Sequence, residues 1–109
     1  MSLLKLKVNI LDFKLATPEE VCLELGRRLK IQRLSKNFKQ QDLADRAGVS
    51  VGTIKNLEAH GHSSLETWIR VSAALDLIQE IEPLFRSKIR SIAEMEKTEQ
   101  AFTLRKRAR

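Results

Sequence analysis

The sequence predicts an all-α fold: a compact five-helix domain, with a short strand at its N-terminus and an added helix at its C-terminus. Three observations predict it. Leu, Ile, Lys, Arg, Glu and Gln dominate the 109 residues, while aromatic residues make up 5% and Tyr is absent. Apolar residues recur at spacings of three and four over most of the chain, the period of a helix packed on one side. Helix-starting residues punctuate that pattern at Thr17-Pro18, Ser50 and Ser64. A chain of this length buries one modest core. It divides into an N-terminal extension over 1–16, a helical domain over 17–86, and a C-terminal helix with a basic tail over 87–109.

Each element has its own reason. Leu4, Leu6, Val8 and Ile10 alternate with Lys5, Lys7 and Asn9; this period of two predicts a strand over 3–10. A single strand needs a partner, either its copy in a homodimer or none, leaving a loose tail. Thr17-Pro18-Glu19-Glu20 starts the first helix, because Thr17 can cap, Pro18 suits the first turn and Glu20 completes a capping box. That helix runs to about Ser35 with Val21, Cys22, Leu25 and Leu29 inward, and Asn37 leaves it in the left-handed conformation. A second helix covers about 39–47 and a third, capped by Ser50, reaches about 59. A fourth starts after Ser64, with Leu65, Trp68, Ile69 and Leu75 inward. A short fifth over 78–85 is interrupted by Pro83. Ser91-Ile92-Ala93-Glu94 is a capping box that predicts a last helix over 92–101.

Net charge is +6, but placement matters more than size. From Thr17 to Arg86 ten basic residues balance ten acidic ones. Between Glu24 and Asp42, however, lie Arg27, Arg28, Lys30, Arg33, Lys36 and Lys39 without an acid. Such a cluster suits phosphate, or is a solvated helix face. The single cysteine, Cys22, excludes an internal disulfide and fits a reducing cytoplasm, as a small core residue rather than a nucleophile. No apolar run reaches the roughly 18–20 residues of a membrane span, and the lysine-studded N-terminus is not a secretory signal. His60 and His62 lack a third ligand, so no metal site is expected. No phosphate loop or nucleophile elbow is present; the sequence predicts no enzyme and no cofactor.

The segment Phe38 to Glu58 carries the function. Two short helices are joined by a tight turn at Gly48, where a positive φ is needed. Ala44 is small where the helices approach. Leu43, Val49, Ile54 and Leu57 fall at core spacings, leaving Val51, Gly52, Lys55 and Asn56 off that face. This is a helix-turn-helix pattern.

The segment resembles the Cro and phage-repressor, or XRE-like, family in Gln40, Leu43-Ala44, Gly48, Val49-Ser50, Ile54 and Leu57-Glu58. The likeness extends from about Leu25 to Leu77. Lys39 departs from it, since relatives carry Ser or Thr at that cap, and so does Gly52, where relatives carry a long polar side chain. The resemblance implies a repressor-like helix-turn-helix domain whose third helix enters the major groove of double-stranded DNA. Val51, Gly52, Thr53 and Asn56 are then the base-reading candidates. Asn56 can bond an adenine edge through both polar atoms, and Val51 can touch a thymine methyl. Gln40, Lys39, Ser50, Lys55, Arg27, Arg28 and Lys36 are the phosphate candidates. By the same analogy Arg33 and Glu58 form a structural ion pair.

The family usually binds palindromic operators as homodimers, here through the fifth helix, the 3–10 strand or the 92–101 helix. The Leu15-Ala16-Thr17-Pro18-Glu19-Glu20 start and the Ile92-Ala93-Glu94-Met95-Glu96 basic tail are similar to HipB-type antitoxins, whose partner is a HipA-like kinase toxin. The contrasting expectation is a protein-interaction module, with the helix-turn-helix as scaffold and the extensions holding a partner. The terminal basic cluster is then a docking peptide; otherwise it is a DNA-backbone arm or a solvated tail.

Overall fold

A computed structural model describes residues 12–87 and 92–107 of the chain. Six helices follow one another: α1 Pro18–Ser35, α2 Gln40–Ala47, α3 Val51–His60, α4 Leu65–Ala74, α5 Ile78–Ile81 and α6 Ile92–Arg107. The fold is all-helical among the described residues. The strand expected over 3–10 and the Ser91 cap lie outside them.

Local chemistry sets the helix ends. At α1 the Thr17 hydroxyl accepts from the Glu20 N–H at 3.2 Å, and Glu20 Oε1 accepts from the Thr17 N–H at 2.9 Å. The box satisfies two donors that the first turn leaves without helical partners. Ser50 and Ser64 cap α3 and α4 in the same way, each accepting from a backbone N–H at 3.1 Å. Lys39 has no acceptor to offer α2. Asp42 makes the return half of a capping box alone, taking the Lys39 N–H at 2.8 Å. At the other ends, Asn37, Gly48 and Asp76 take positive φ of 59°, 69° and 61°. Behind each, the next N–H reaches back five residues: Phe38 to Arg33, Val49 to Ala44 and Leu77 to Ser72. Three helices thus end in one motif, which returns the chain over its own last turn.

The core is Leu29, Leu43, Ala44, Ala47, Ile54, Leu57, Val71 and Leu75, flanked by Phe38, Val49, Val51, Trp68, Ala74 and Leu77. α1 packs on α3, α2 on both α3 and α4, and α4 on α5. Several expectations need correction. On α1 the buried residues are Glu24, Gly26, Leu29 and Arg33, with Leu25 exposed. The packed face of α1 is chosen by close backbone approach and ion pairing, not by its most apolar stripe. On α4, Leu65 and Ile69 are exposed and Val71 and Ser72 are buried in their place, while Leu75, just past the helix end, is buried as expected. α5 stops at Ile81, two residues before Pro83, which cannot extend the hydrogen-bond ladder. α6 continues to Arg107, past the expected end at 101.

Candidate nucleic-acid interface

The α1–α3 contact orients the site. A Cβ placed on Gly26 would overlap the Leu57 carbonyl oxygen and stand 3.2 Å from Glu58 O and Gly61 N. Gly61, at φ +72°, lies in turn against the Cys22 carbonyl. The N-terminal half of α1 therefore grips the C-terminal end of α3 through backbone alone. Trp68 adds a hydrogen bond from Nε1 to the Gly61 carbonyl at 3.3 Å. Neither Gly26 nor Gly61 stands out in the sequence, because a small residue on the packed side of a helix is the only signal for such an approach.

A buried ion pair holds the motif. Arg33 Nε donates to Glu58 Oε2 at 2.6 Å, and Nη2 donates to Oε1 at 3.1 Å. The two side chains are 7% and 3% exposed. Arg33 Nη1 donates to the Phe38 carbonyl at 2.7 Å, and Gln40 Nε2 donates to Glu58 Oε1 at 3.1 Å. These bonds join α1, the α1–α2 connection, the start of α2 and the end of α3. Such satisfaction is what a charge pair removed from water requires. The Arg46 guanidinium lies over the Phe38 ring, 4.3 Å from its centroid, and braces the same connection.

The outer face of α3 holds the base-reading candidates. Gly52, Lys55 and Asn56 are exposed, and Thr53 is half-buried. Val51, expected off the core, packs against it in part. It lies three residues before Ile54 and seven before Glu58, on the same side of the helix. Gly52 borders open space: the nearest atom to an added Cβ is Ser50 Oγ at 3.8 Å. The Thr53 hydroxyl sits 2.8 Å from the Ser50 hydroxyl. Asn56 Nδ2 donates to the His62 carbonyl at 2.8 Å, which ties this face to the loop after α3. That bond leaves Oδ1 and the second amide hydrogen unused.

The phosphate candidates divide in two. Ser50, Lys55, Lys36 and Lys39 are exposed, and Gln40 is half-buried beside Glu58. Arg27 and Arg28 both turn onto the buried Glu24. Arg27 Nε and Nη2 lie 2.9 and 3.1 Å from its oxygens, and Arg28 Nε lies 2.7 Å away. The cluster after Glu24 contains no acid, but Glu24 itself pairs with two of its cations and offsets one charge. The Arg27 hydrogen bond holds the Glu24 carboxyl below its ordinary pKa despite burial, and Arg28 adds to this. The same bond raises Arg27 above its ordinary value. Arg27 and Arg28 also belong to the stretch of α1 that lies against the far end of α3 from its first turn. The His60 and His62 rings are 6.0 Å apart, and no group of three metal-ligating residues forms among the described residues.

Two short helices around a glycine turn, with the second presenting its outer face from a rigid bundle, define a DNA-binding helix-turn-helix domain. Residues 29–79 match the family model described as helix-turn-helix. That segment, a little under half of the chain, is a helix-turn-helix of the XRE, or Cro/phage-repressor, type, which is a DNA-binding type. No curated protein matches the chain. No helix among the described residues is long and apolar enough to cross a membrane.

Proposed function

We propose that the chain is a dimeric, sequence-specific transcriptional repressor that reads a palindromic operator with α3. The observation that carries this reading is the exposed ridge of Gly52, Lys55 and Asn56 beside half-buried Thr53, held by a core that leaves it outward. In the major groove, Asn56 accepts from and donates to an adenine edge with the atoms that His62 leaves unused. Gly52 lets the helix backbone approach the bases, Thr53 adds a hydroxyl, and the outer part of Val51 meets a thymine methyl. Ser50, Lys39, Lys36 and Gln40 lie at or near the starts of α2 and α3, where free N–H groups favour phosphate, and Lys55 adds its charge from the middle of α3. Arg27 and Arg28 are secondary phosphate contacts, since Glu24 already holds them. Half-sites one helical turn apart require two copies.

The three segments then have separate work: 17–86 binds DNA, while 1–16 and 87–109 serve assembly. The Leu15–Glu20 start and basic tail support an antitoxin role within this reading, with a HipA-like kinase as protein partner. The test is fluorescence anisotropy on the promoter upstream of the chain's own gene and on a scrambled duplex, across a salt series. Preference for the promoter, with affinity falling steeply as salt rises, supports the proposal. Equal binding to both duplexes rejects it. Asn56→Ala should cost about 1–3 kcal/mol on the operator and little on scrambled DNA.

A further inference from the structure

We infer that the His62 carbonyl is a positioning group for base reading: it fixes the amide of Asn56 in one orientation and so makes that side chain reject guanine. The inference rests on the reading of α3 as the base-contacting helix and adds what excludes the wrong base.

A free amide is ambivalent. Turned over about its last bond, it exchanges an acceptor for a donor. A free Asn can therefore accept from the N6 amino group of adenine or donate to O6 of guanine, which stands in the same place. Asn56 lacks that freedom. Its Nδ2 donates to the His62 carbonyl at 2.8 Å. A carbonyl oxygen only accepts, so turning the amide over would set Oδ1 against it, acceptor on acceptor. What Asn56 offers to a duplex is then fixed as Oδ1 and one remaining N–H. That set complements the N6 donor and N7 acceptor of adenine, whereas guanine presents two acceptors, O6 and N7.

The lock needs a carbonyl that stays in place, and the loop is anchored on both sides of it. The Gly61 N–H donates to the Leu57 carbonyl at 2.8 Å and closes α3. Gly61 is buried against the Cys22 carbonyl of α1, and its own carbonyl accepts from Trp68 Nε1 at 3.3 Å. Beyond His62, the Ser64 hydroxyl accepts from the Thr67 N–H at 3.1 Å and caps α4. The His62 side chain is exposed, so this residue serves the site through its backbone.

Fluorescence anisotropy of the full chain tests this on the promoter upstream of its own gene, with each A·T pair of the bound site changed in turn to G·C. One such change should weaken the unaltered chain about tenfold or more, and Asn56→Ala should erase that penalty. A glycine inserted between His62 and Ser63 displaces the carbonyl. It should erase most of the same penalty and leave binding to a scrambled duplex as it was. His62→Gly frees the loop backbone at the cost of an exposed side chain only, and should lower the penalty in the same direction. It decides the matter if the insertion also weakens binding to scrambled DNA. In the free chain, the Asn56 side-chain amide should have an NMR order parameter near that of the α3 backbone. The lock is overturned by a penalty that survives both loop variants, by the absence of any Asn56-dependent position, or by an Asn56 amide as mobile as that of exposed Gln32. Each of these leaves α3 standing as the reading helix. Equal binding to promoter and scrambled duplex overturns both.

Discussion

Gly26 and Leu57 mark the closest approach of α1 and α3: no side chain atom fits between the Gly26 Cα and the Leu57 carbonyl oxygen. Gly26→Ala should therefore cost about 1–3 kcal/mol, the usual penalty for forcing extra volume into a packed contact. Gly52 provides the contrast, since it borders open space at an ordinary helical φ. Gly52→Ala should stabilise the domain by about 0.5–1 kcal/mol by improving helix propensity. Urea denaturation of both variants separates the two cases, and shifts of the same sign would contradict the geometry.

Removing one member of the Arg33–Glu58 pair should cost more than removing both. Arg33→Met leaves a carboxylate buried with Gln40 as its remaining partner and should cost about 3–5 kcal/mol. Glu58→Leu strands the guanidinium and should cost a similar amount. The double variant removes both charges and should be more stable than either single one. A double-mutant cycle by thermal unfolding measures this, and additive losses would mean the pair is not coupled.

Acid should reveal Glu24. Its folded pKa is depressed, chiefly by the hydrogen bond from Arg27. The stabilisation is therefore complete above the unfolded carboxyl pKa and is lost as pH falls through the folded value. Glu24→Gln should lower stability at neutral pH, with the gap to the unaltered chain closing as pH drops below the ordinary glutamate range. Chemical denaturation at several acidic pH values is the measurement. A constant gap would show that the ion pairs contribute nothing.

Lys39→Ser should separate stability from binding. A serine hydroxyl can cap α2 where lysine cannot, for a gain of about 0.5–2 kcal/mol. If Lys39 meets phosphate, the same change weakens all DNA binding uniformly and lowers the salt slope by about 1. Unfolding and anisotropy on one protein preparation report both effects.

Much of this architecture is legible in the residues because caps and turns have local chemistry. Thr17, Glu20, Gly48, Ser50 and Ser64 each specify a backbone conformation or satisfy a donor within four positions. Packing partners are less legible. Leu25, Leu65 and Ile69 carry the hydrophobic signal on their helices yet remain exposed, while Glu24 and Gly26 are buried. Hydropathy cannot register a contact made of backbone or of compensated charge. The Asn56–His62 bond is invisible for another reason: it depends on the path of a loop, which no periodicity encodes. The Arg33–Glu58 pairing was expected only through family likeness, since 25 residues separate the partners.

Gln40 cannot serve two acceptors with the same amide hydrogen. In the free protein that hydrogen points to Glu58; a phosphate taking it would leave Arg33 to hold the carboxylate without help. The second Nε2 hydrogen can meet a phosphate while the first stays on Glu58, so one side chain would link the ion pair to the duplex. Removing Gln40 would then speed release of the duplex and would also loosen the join between the start of α2 and the end of α3 with no duplex present.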